Sequence, residues 1–222
     1  MKEVGQPLDF GVWNEGGSPV LAQNGCIYSM PRNGLLYKYN PMKDLSSLIQ
    51  VKTYSLFDDE YTAVTHHRDR FIYFIPKAKG KVLKLDSNTD ISYFIGHEID
   101  VDHYSYGEEV LAADDCIYCI PRNAKKVMKI DLKDDTISYI GDNYDDSEKW
   151  YGAVLASDGC IYGIPFNSDR FLKIDPFQHS TSIIGPKIKG NDNKFSGGTL
   201  GRDGCIYVPP CDYNYVIKFN PR

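Results

Sequence analysis

The sequence has no surplus of basic charge. Lys and Arg total 25 against 30 Asp and Glu, a net charge of -5, so nothing stands ready to neutralise phosphates and a nucleic-acid partner is not expected. Long apolar runs are also missing. The longest, such as Phe71 to Ile75, are about five residues where a bilayer-crossing helix needs roughly 20, and no membrane span is expected. No stretch keeps a helical apolar period over about 10 to 12 residues, and recurring Pro and Gly would interrupt one. Met (4) and Trp (2) are scarce. Neither a Ser/His/Asp set, an HExxH helix, a phosphate-cradling Gly loop nor an EF-hand loop can be located. No metal and no cofactor is therefore expected.

What is abundant is regular. The 17 Tyr, 12 Pro and 19 Gly recur at a fixed interval along the 222 residues, and such a period decides the fold class. The phrase Gly-Cys-Ile-Tyr at Gly25 to Tyr28 returns at Asp115 to Tyr118, Gly159 to Tyr162 and Gly204 to Tyr207, with a degenerate copy at Arg70 to Tyr73. The anchors Cys26, Phe71, Cys116, Cys160 and Cys205 are separated by 45, 45, 44 and 45 residues. Five residues after each comes Pro (Pro31, Pro76, Pro121, Pro165, Pro210), and usually then a turn residue (Asn33, Asn123, Asn167, Asp212). An apolar stretch follows, interrupted each time by Lys (Lys38, Lys84, Lys129, Lys173, Lys218) and closed by Asp or Asn.

Short segments rich in β-branched and aromatic residues, bounded by Gly, Pro, Asn and Asp, read as strands. In the fourth copy they are residues 151–156, 160–164, 170–174 and 181–184. Four strands of about six residues with connections of about five fill roughly 45 residues, the repeat of a β-propeller blade. The expected fold is therefore all-β: a five-bladed β-propeller, four antiparallel strands per blade, forming a single domain over residues 1–222. The fifth copy ends before a fourth strand, while Lys2 to Gly5 has the spacing of one. The N-terminal strand is accordingly expected to complete the last blade and close the ring.

Cys26, Cys116, Cys160 and Cys205 share one repeat position in four blades, too far apart to be bridged, and are expected as small buried hydrophobes between blades. Cys116 and Cys119 match a metal or redox spelling, but residues i and i+3 on a strand face opposite sides. Cys211 is expected to be exposed. Free thiols without a recognisable leader point to a reducing, cytoplasmic compartment. Each repeated Lys is expected to lay its stem along a blade face and pair near the Asp or Asn that follows it.

Structural positions should repeat and functional ones need not, so departures from the repeat are the candidates. The second copy has Thr65-His66-His67 where the others have Val or Thr, Leu, and Ala or Gly; the third has Glu108-Glu109 where later copies have Gly152-Ala153 and Gly197-Gly198. One His and one Glu facing a channel could form an acid/base pair. Tyr61, Tyr106, Trp150 and Phe195 recur about ten residues before their anchors. They could stack on a sugar or aromatic ligand, or pack blade on blade. The acidic runs Asp58 to Glu60, Glu98 to Asp102 and Asp142 to Glu148 fall in connections before first strands.

The stretch Gly159 to Pro176 resembles the propeller repeats found in multiple copies in protist and algal proteins. More distantly it is similar to the Asp-Gly-x-Ile-Trp … Ile-x-x-Ile-Asp-Pro repeats of NHL-like and streptogramin-lyase-like propellers. The lyase type has seven blades and a His/Glu/Mg²⁺ site, whereas five copies occur here. That blade number resembles the tachylectin type of lectin, whose Gly-Gly-Trp and Asp-Asn-Trp signatures are absent. The expectation is a non-catalytic binding or scaffold module that presents a channel mouth or rim to a glycan or protein partner. The alternative is an enzyme, a lyase or hydrolase, using His66 or His67 with Glu108 or Glu109.

Overall fold

The computed structural model describes residues 19–29, 35–50, 61–66, 70–76, 79–99, 105–190 and 192–221, without the side chains of 62–66. The chain divides into two compact units, Met1–Asp100 and Val101–Arg222. All regular structure among the described residues is strand, and no helix there is long and apolar enough to cross a membrane.

The first unit holds two antiparallel sheets. One is β1 (Val20–Leu21), β2 (Ile27–Tyr28), β3 (Leu35–Asn40) and β4 (Leu45–Gln50); the other is β5 (Tyr61–His66), β6 (Phe71–Pro76), β7 (Gly80–Asp86) and β8 (Ile91–Ile99). The second unit holds three. They are β9 (Tyr106–Leu111) to β12 (Thr136–Ile140), with β10 (Cys116–Pro121) and β11 (Val127–Asp131) between; β13 (Trp150–Leu155), β14 (Ile161–Pro165), β15 (Phe171–Asp175) and β16 (Ser180–Ile184); and β17 (Thr199–Leu200), β18 (Ile206–Val208) and β19 (Ile217–Phe219). In every sheet the strands pair in chain order, so each is a meander whose first strand is one edge. Four of these five sheets have the four strands expected from the sequence, and the last has three among the described residues. The segment proposed to complete the fifth sheet, residues 2–5, lies outside the described residues.

The apolar cores lie at seams between consecutive sheets, because each strand alternates its side chains between two faces and both faces need cover. Ala22, Cys26, Tyr28 and Leu36 of the first sheet pack with Tyr61, Ile72, Phe74, Leu83 and Leu85 of the second. Ala112, Cys116, Tyr118 and Ile120 pack with Trp150, Ile161, Leu172 and Ile174. Val154, Cys160, Tyr162 and Ile164 pack with Phe195, Ile206 and Val208. Cys26, Cys116 and Cys160 are thus seam residues, and they, Cys205 and Cys119 are buried and free, while Cys211 is exposed. Burial pushes the Cys116 thiol up to about 12, which keeps it a thiol.

The repeated Lys finds a different partner from the one expected. The Asp or Asn after it turns back on its own backbone, accepting N–H groups two or three residues on: Lys133 on Asp131, Phe177 and Gln178 on Asp175, Met42 and Lys43 on Asn40. This is an Asx turn. The Lys instead meets the Asp two residues before the anchor, because antiparallel register sets it opposite the anchor Tyr: Lys129 opposite Tyr118, Lys173 opposite Tyr162, Lys218 opposite Tyr207. Asp158 accepts the Cys160 N–H (3.0 Å) and the Tyr162 hydroxyl (2.7 Å), with Lys173 Nζ at 3.9 Å. Asp203 does the same with Cys205, Tyr207 and Lys218, and Asp114 with Cys116, Tyr118 and Lys129. The Lys218 ammonium holds the Asp203 carboxyl well below the usual carboxylate range. In the first sheet Asn24 replaces the Asp, and Lys38 reaches Asp90 of the second sheet through both oxygens (2.8 and 2.7 Å).

Candidate functional site

The Asp–Tyr–Lys arrangements recur sheet by sheet and so belong to the scaffold. The aromatic position falls with them. Tyr61, Tyr106, Trp150 and Phe195 are at most 4% exposed, and Trp150 donates its indole N–H to the Arg170 carbonyl at 2.8 Å while meeting Tyr144 edge to face at 5.0 Å. Of the two roles open to these rings, packing is the one their burial supports; as placed, none offers a face to a ligand.

The candidate acid/base residues lie in different units. His66 ends β5 opposite Ile72, and His67 lies outside the described residues. Glu108 and Glu109 sit in mid-β9. Glu108 Oε2 accepts the Ala153 N–H of the neighbouring first strand at 2.7 Å, and burial raises its carboxyl against that bond. Glu109 stands opposite Cys119. One of its oxygens is sealed from solvent without a hydrogen-bond partner, and burial, helped by the Glu108 charge, pushes it up to about 8.

Around Glu108 the first strands of the second unit come into backbone contact. A methyl group on Gly107 would fall on the Tyr151 carbonyl, and one on Gly152 on the Cα of Gly197, so these positions admit glycine alone. The contact brings the strand starts together with the turns that follow β10 and β14. Those turns are tied across each seam by a repeated set of bonds. Asn123 Oδ1 accepts the Glu148 N–H and Asn167 Oδ1 the Asn193 N–H, both at 2.7 Å. Beneath them the buried Lys149 donates to the carbonyls of Arg122 (3.2 Å), Ala124 (3.1 Å) and Asp146, and Lys194 donates to that of Asn167 (3.0 Å). Burial pulls the Lys149 amine down to about 8, against Asp146 and Asp145. Sequence reasoning missed these lysines, although both precede the repeated aromatic by one residue.

One group at this strand end does not repeat. Arg122 Nη2 donates to Glu148 Oε1 at 2.7 Å, and its guanidinium lies 4.9 Å from the Tyr151 ring centre and 5.2 Å from that of Phe166. The two rings are 5.8 Å apart, tilted by 40°, and Tyr151 is 37% exposed. Glu148 is held with φ of 49°, a left-handed conformation uncommon outside glycine. In the other copies Tyr151 is matched by Gly17, Thr62, Gly107 and Ser196, and Glu148 by Asn14, Asp59, Tyr104 and Asn193; Arg122 has a counterpart in Arg32, with Lys77, Phe166 and Cys211 at the remaining positions, so what does not recur is the pair of rings beside the ion pair. In the sequence the group shows itself only in Tyr151 and Phe166, aromatic where the other copies are not. Among the described residues no cluster of three or more His, Cys, Asp or Glu could hold a metal ion.

No family model and no curated protein matches the chain. Solved structures do. A catalytically inactive virginiamycin B lyase from Staphylococcus aureus with quinupristin superposes with a TM-score of 0.71 at 13% identity, over 93% of this chain and 67% of that one. A streptogramin B lyase gives 0.67 at 12%, over 92% and 68%. The extracellular domain of a hybrid two-component system from B. thetaiotaomicron gives 0.64 at 10%, over 99% of this chain but only 31% of that one. At these identities the likeness is one of fold, and it makes the chain a β-propeller-like all-β repeat protein. Enzymes and sensor domains both stand among its structural neighbours.

Proposed function

We propose that the chain is a non-catalytic binding or scaffold module, a five-bladed β-propeller forming one domain over residues 1–222 and closed by its N-terminal strand beside β19. Five sequence copies of about 45 residues, five sheets among the described residues and an incomplete fifth sheet support that count. The ligand, a glycan or a protein, docks at the strand end where the first strands touch. The observation that carries this reading is the Arg122–Tyr151–Phe166 group, whose pair of rings does not recur, partly exposed on a scaffold whose Asp–Tyr–Lys clusters do. A glycan array together with a pull-down under reducing conditions tests it, and silence in both would count against it. A cytoplasmic, reducing location belongs to the same proposal and agrees with the free cysteines.

One observation favours a second reading, an enzyme with a His/Glu site. A Glu109 carboxyl raised to about 8 keeps its proton at neutral pH, as a general acid must. An experimental structure with neither His66 nor His67 within about 6 Å of Glu108 or Glu109 would end that alternative.

A further inference from the structure

We propose that Tyr151, Arg122 and Glu148 form a subsite for one neutral pyranose ring. This rests on the reading of the chain as a binding module and names its ligand class. A pyranose has an apolar face of C–H groups and an edge of hydroxyls that both donate and accept. The group has matching parts: a partly exposed Tyr151 ring, and beside it a guanidinium bearing only donors and a carboxylate bearing only acceptors, already fixed to each other at 2.7 Å.

The surroundings select against other ligands. An anion would meet Glu148 with Asp142, Asp145 and Asp146 in the same connection, and an Arg122 already paired with Glu148. A cation would be repelled by the guanidinium already 4.9 Å from the Tyr151 ring centre and 5.2 Å from that of Phe166. A purely apolar partner would have to desolvate the Arg122–Glu148 pair without replacing its hydrogen bonds. A neutral polyol replaces the water on both charges and covers the ring.

The same geometry fixes the number of sites and their rigidity. Arg122 comes from the turn after β10, Tyr151 from β13 and Glu148 from the connection before it, so the subsite straddles one seam. The equivalent positions are Phe166, Asn193 and Ser196 between the fourth and fifth copies and Arg32, Asp59 and Thr62 between the first and second, and neither set has the ring that Tyr151 supplies. One subsite per chain is expected, in place of repeated sites on every blade. The Asn123 bond to the Glu148 N–H and the Lys149 bonds to the Arg122 and Ala124 carbonyls hold both ends of the ion pair before a ligand arrives, which lowers the ordering cost of binding.

The test is titration of the full chain with neutral mono- and disaccharides (glucose, galactose, mannose, N-acetylglucosamine and their β-linked dimers), followed by ¹⁵N NMR shifts and calorimetry. The expected result is saturable binding of at least one sugar at one site per chain, with shifts centred on Tyr151 and Arg122. Y151A weakens it by about five- to tenfold, the range of an aromatic contact, Y151F recovers most of that loss, and R122K and E148Q each weaken it while the thermal midpoint holds. Sugar binding that ignores Y151A and R122K overturns the subsite but leaves the module reading standing. So does a protein captured in the pull-down when no neutral sugar binds. Binding confined to sialylated or sulfated sugars overturns the ligand class.

Discussion

Replacing Glu109 with Gln should stabilise the protein, and more so as pH rises. Glu109 stands opposite Cys119 with one carboxylate oxygen sealed and unpartnered, and burial carries its carboxyl from 4.5 to about 8. The folded state therefore holds this proton more tightly than the unfolded chain. Stability from that linkage is fully present below pH 4.5 and is lost as pH rises through 8. Between 4.5 and pH 7 the loss is roughly 3 kcal/mol for a fully buried group at about 1.4 kcal/mol per pH unit. Glu109 as a whole is only partly buried, and half of that, about 1.5 kcal/mol, is the expected effect. A neutral Gln does not titrate. The gap between E109Q and the parent should widen by ~3–6 °C in thermal midpoint between pH 4.5 and pH 7, at about 2–4 °C per kcal/mol for a chain of this size. Scanning calorimetry at four pH values reads this directly. Parallel profiles, or a variant that loses ground at alkaline pH, would refute the reasoning.

Other outcomes follow from the seams and the thiols. N167A removes the acceptor of the Asn193 N–H at 2.7 Å and should cost about 1–2 kcal/mol, read as a lower urea midpoint; an unchanged midpoint would show that the bond ties nothing together. His179 occupies, against Lys129 (3.5 Å), the turn position from which Asp90 holds Lys38. H179D should raise the thermal midpoint by ~1 °C at neutral pH by setting a carboxylate against the Lys129 ammonium; a loss would contradict it. A thiol reagent on the native protein should label Cys211 quickly and the five buried cysteines only on unfolding. Rapid labelling of two or more would mean that a seam is open.

The period, the strands and the seams were legible because each repeats in a way that geometry enforces. Residues 151–156 and 170–174 became Trp150–Leu155 and Phe171–Asp175, a displacement of one residue at each edge. Burial of Cys26, Cys116, Cys160 and Cys205 followed from their shared register. The Lys pairing was not legible from adjacency. Asp131 is closer in sequence to Lys129, but the register places Lys129 beside Tyr118, whose hydroxyl already meets Asp114. Which partner a Lys takes is a cross-strand fact, and the spacing along one strand does not hold it. Lys149 and Lys194 were hidden for a related reason. A buried ammonium is satisfied by carbonyls from a neighbouring sheet, and main-chain acceptors leave no mark in the sequence. In the Arg122 group only Tyr151 and Phe166 depart from the repeat, Arg122 having a counterpart in Arg32, and its members come from separate segments that only the fold assembles.

The account rests on separating what repeats, which holds the sheets together, from what does not, which meets a ligand. The most direct test measures neutral-sugar affinity and thermal midpoint side by side for two variants. Y151S installs the residue found at the equivalent Ser196, and D158A breaks one Asp–Tyr–Lys cluster. Y151S should weaken sugar binding by about five- to tenfold with the midpoint nearly unchanged. D158A should cost about 1–2 kcal/mol of stability and leave sugar affinity within about twofold of the parent, since a difference that small is only ~0.4 kcal/mol. The opposite pairing, a Y151S that melts early or a D158A that keeps its midpoint yet no longer binds, would contradict the division on which the account depends.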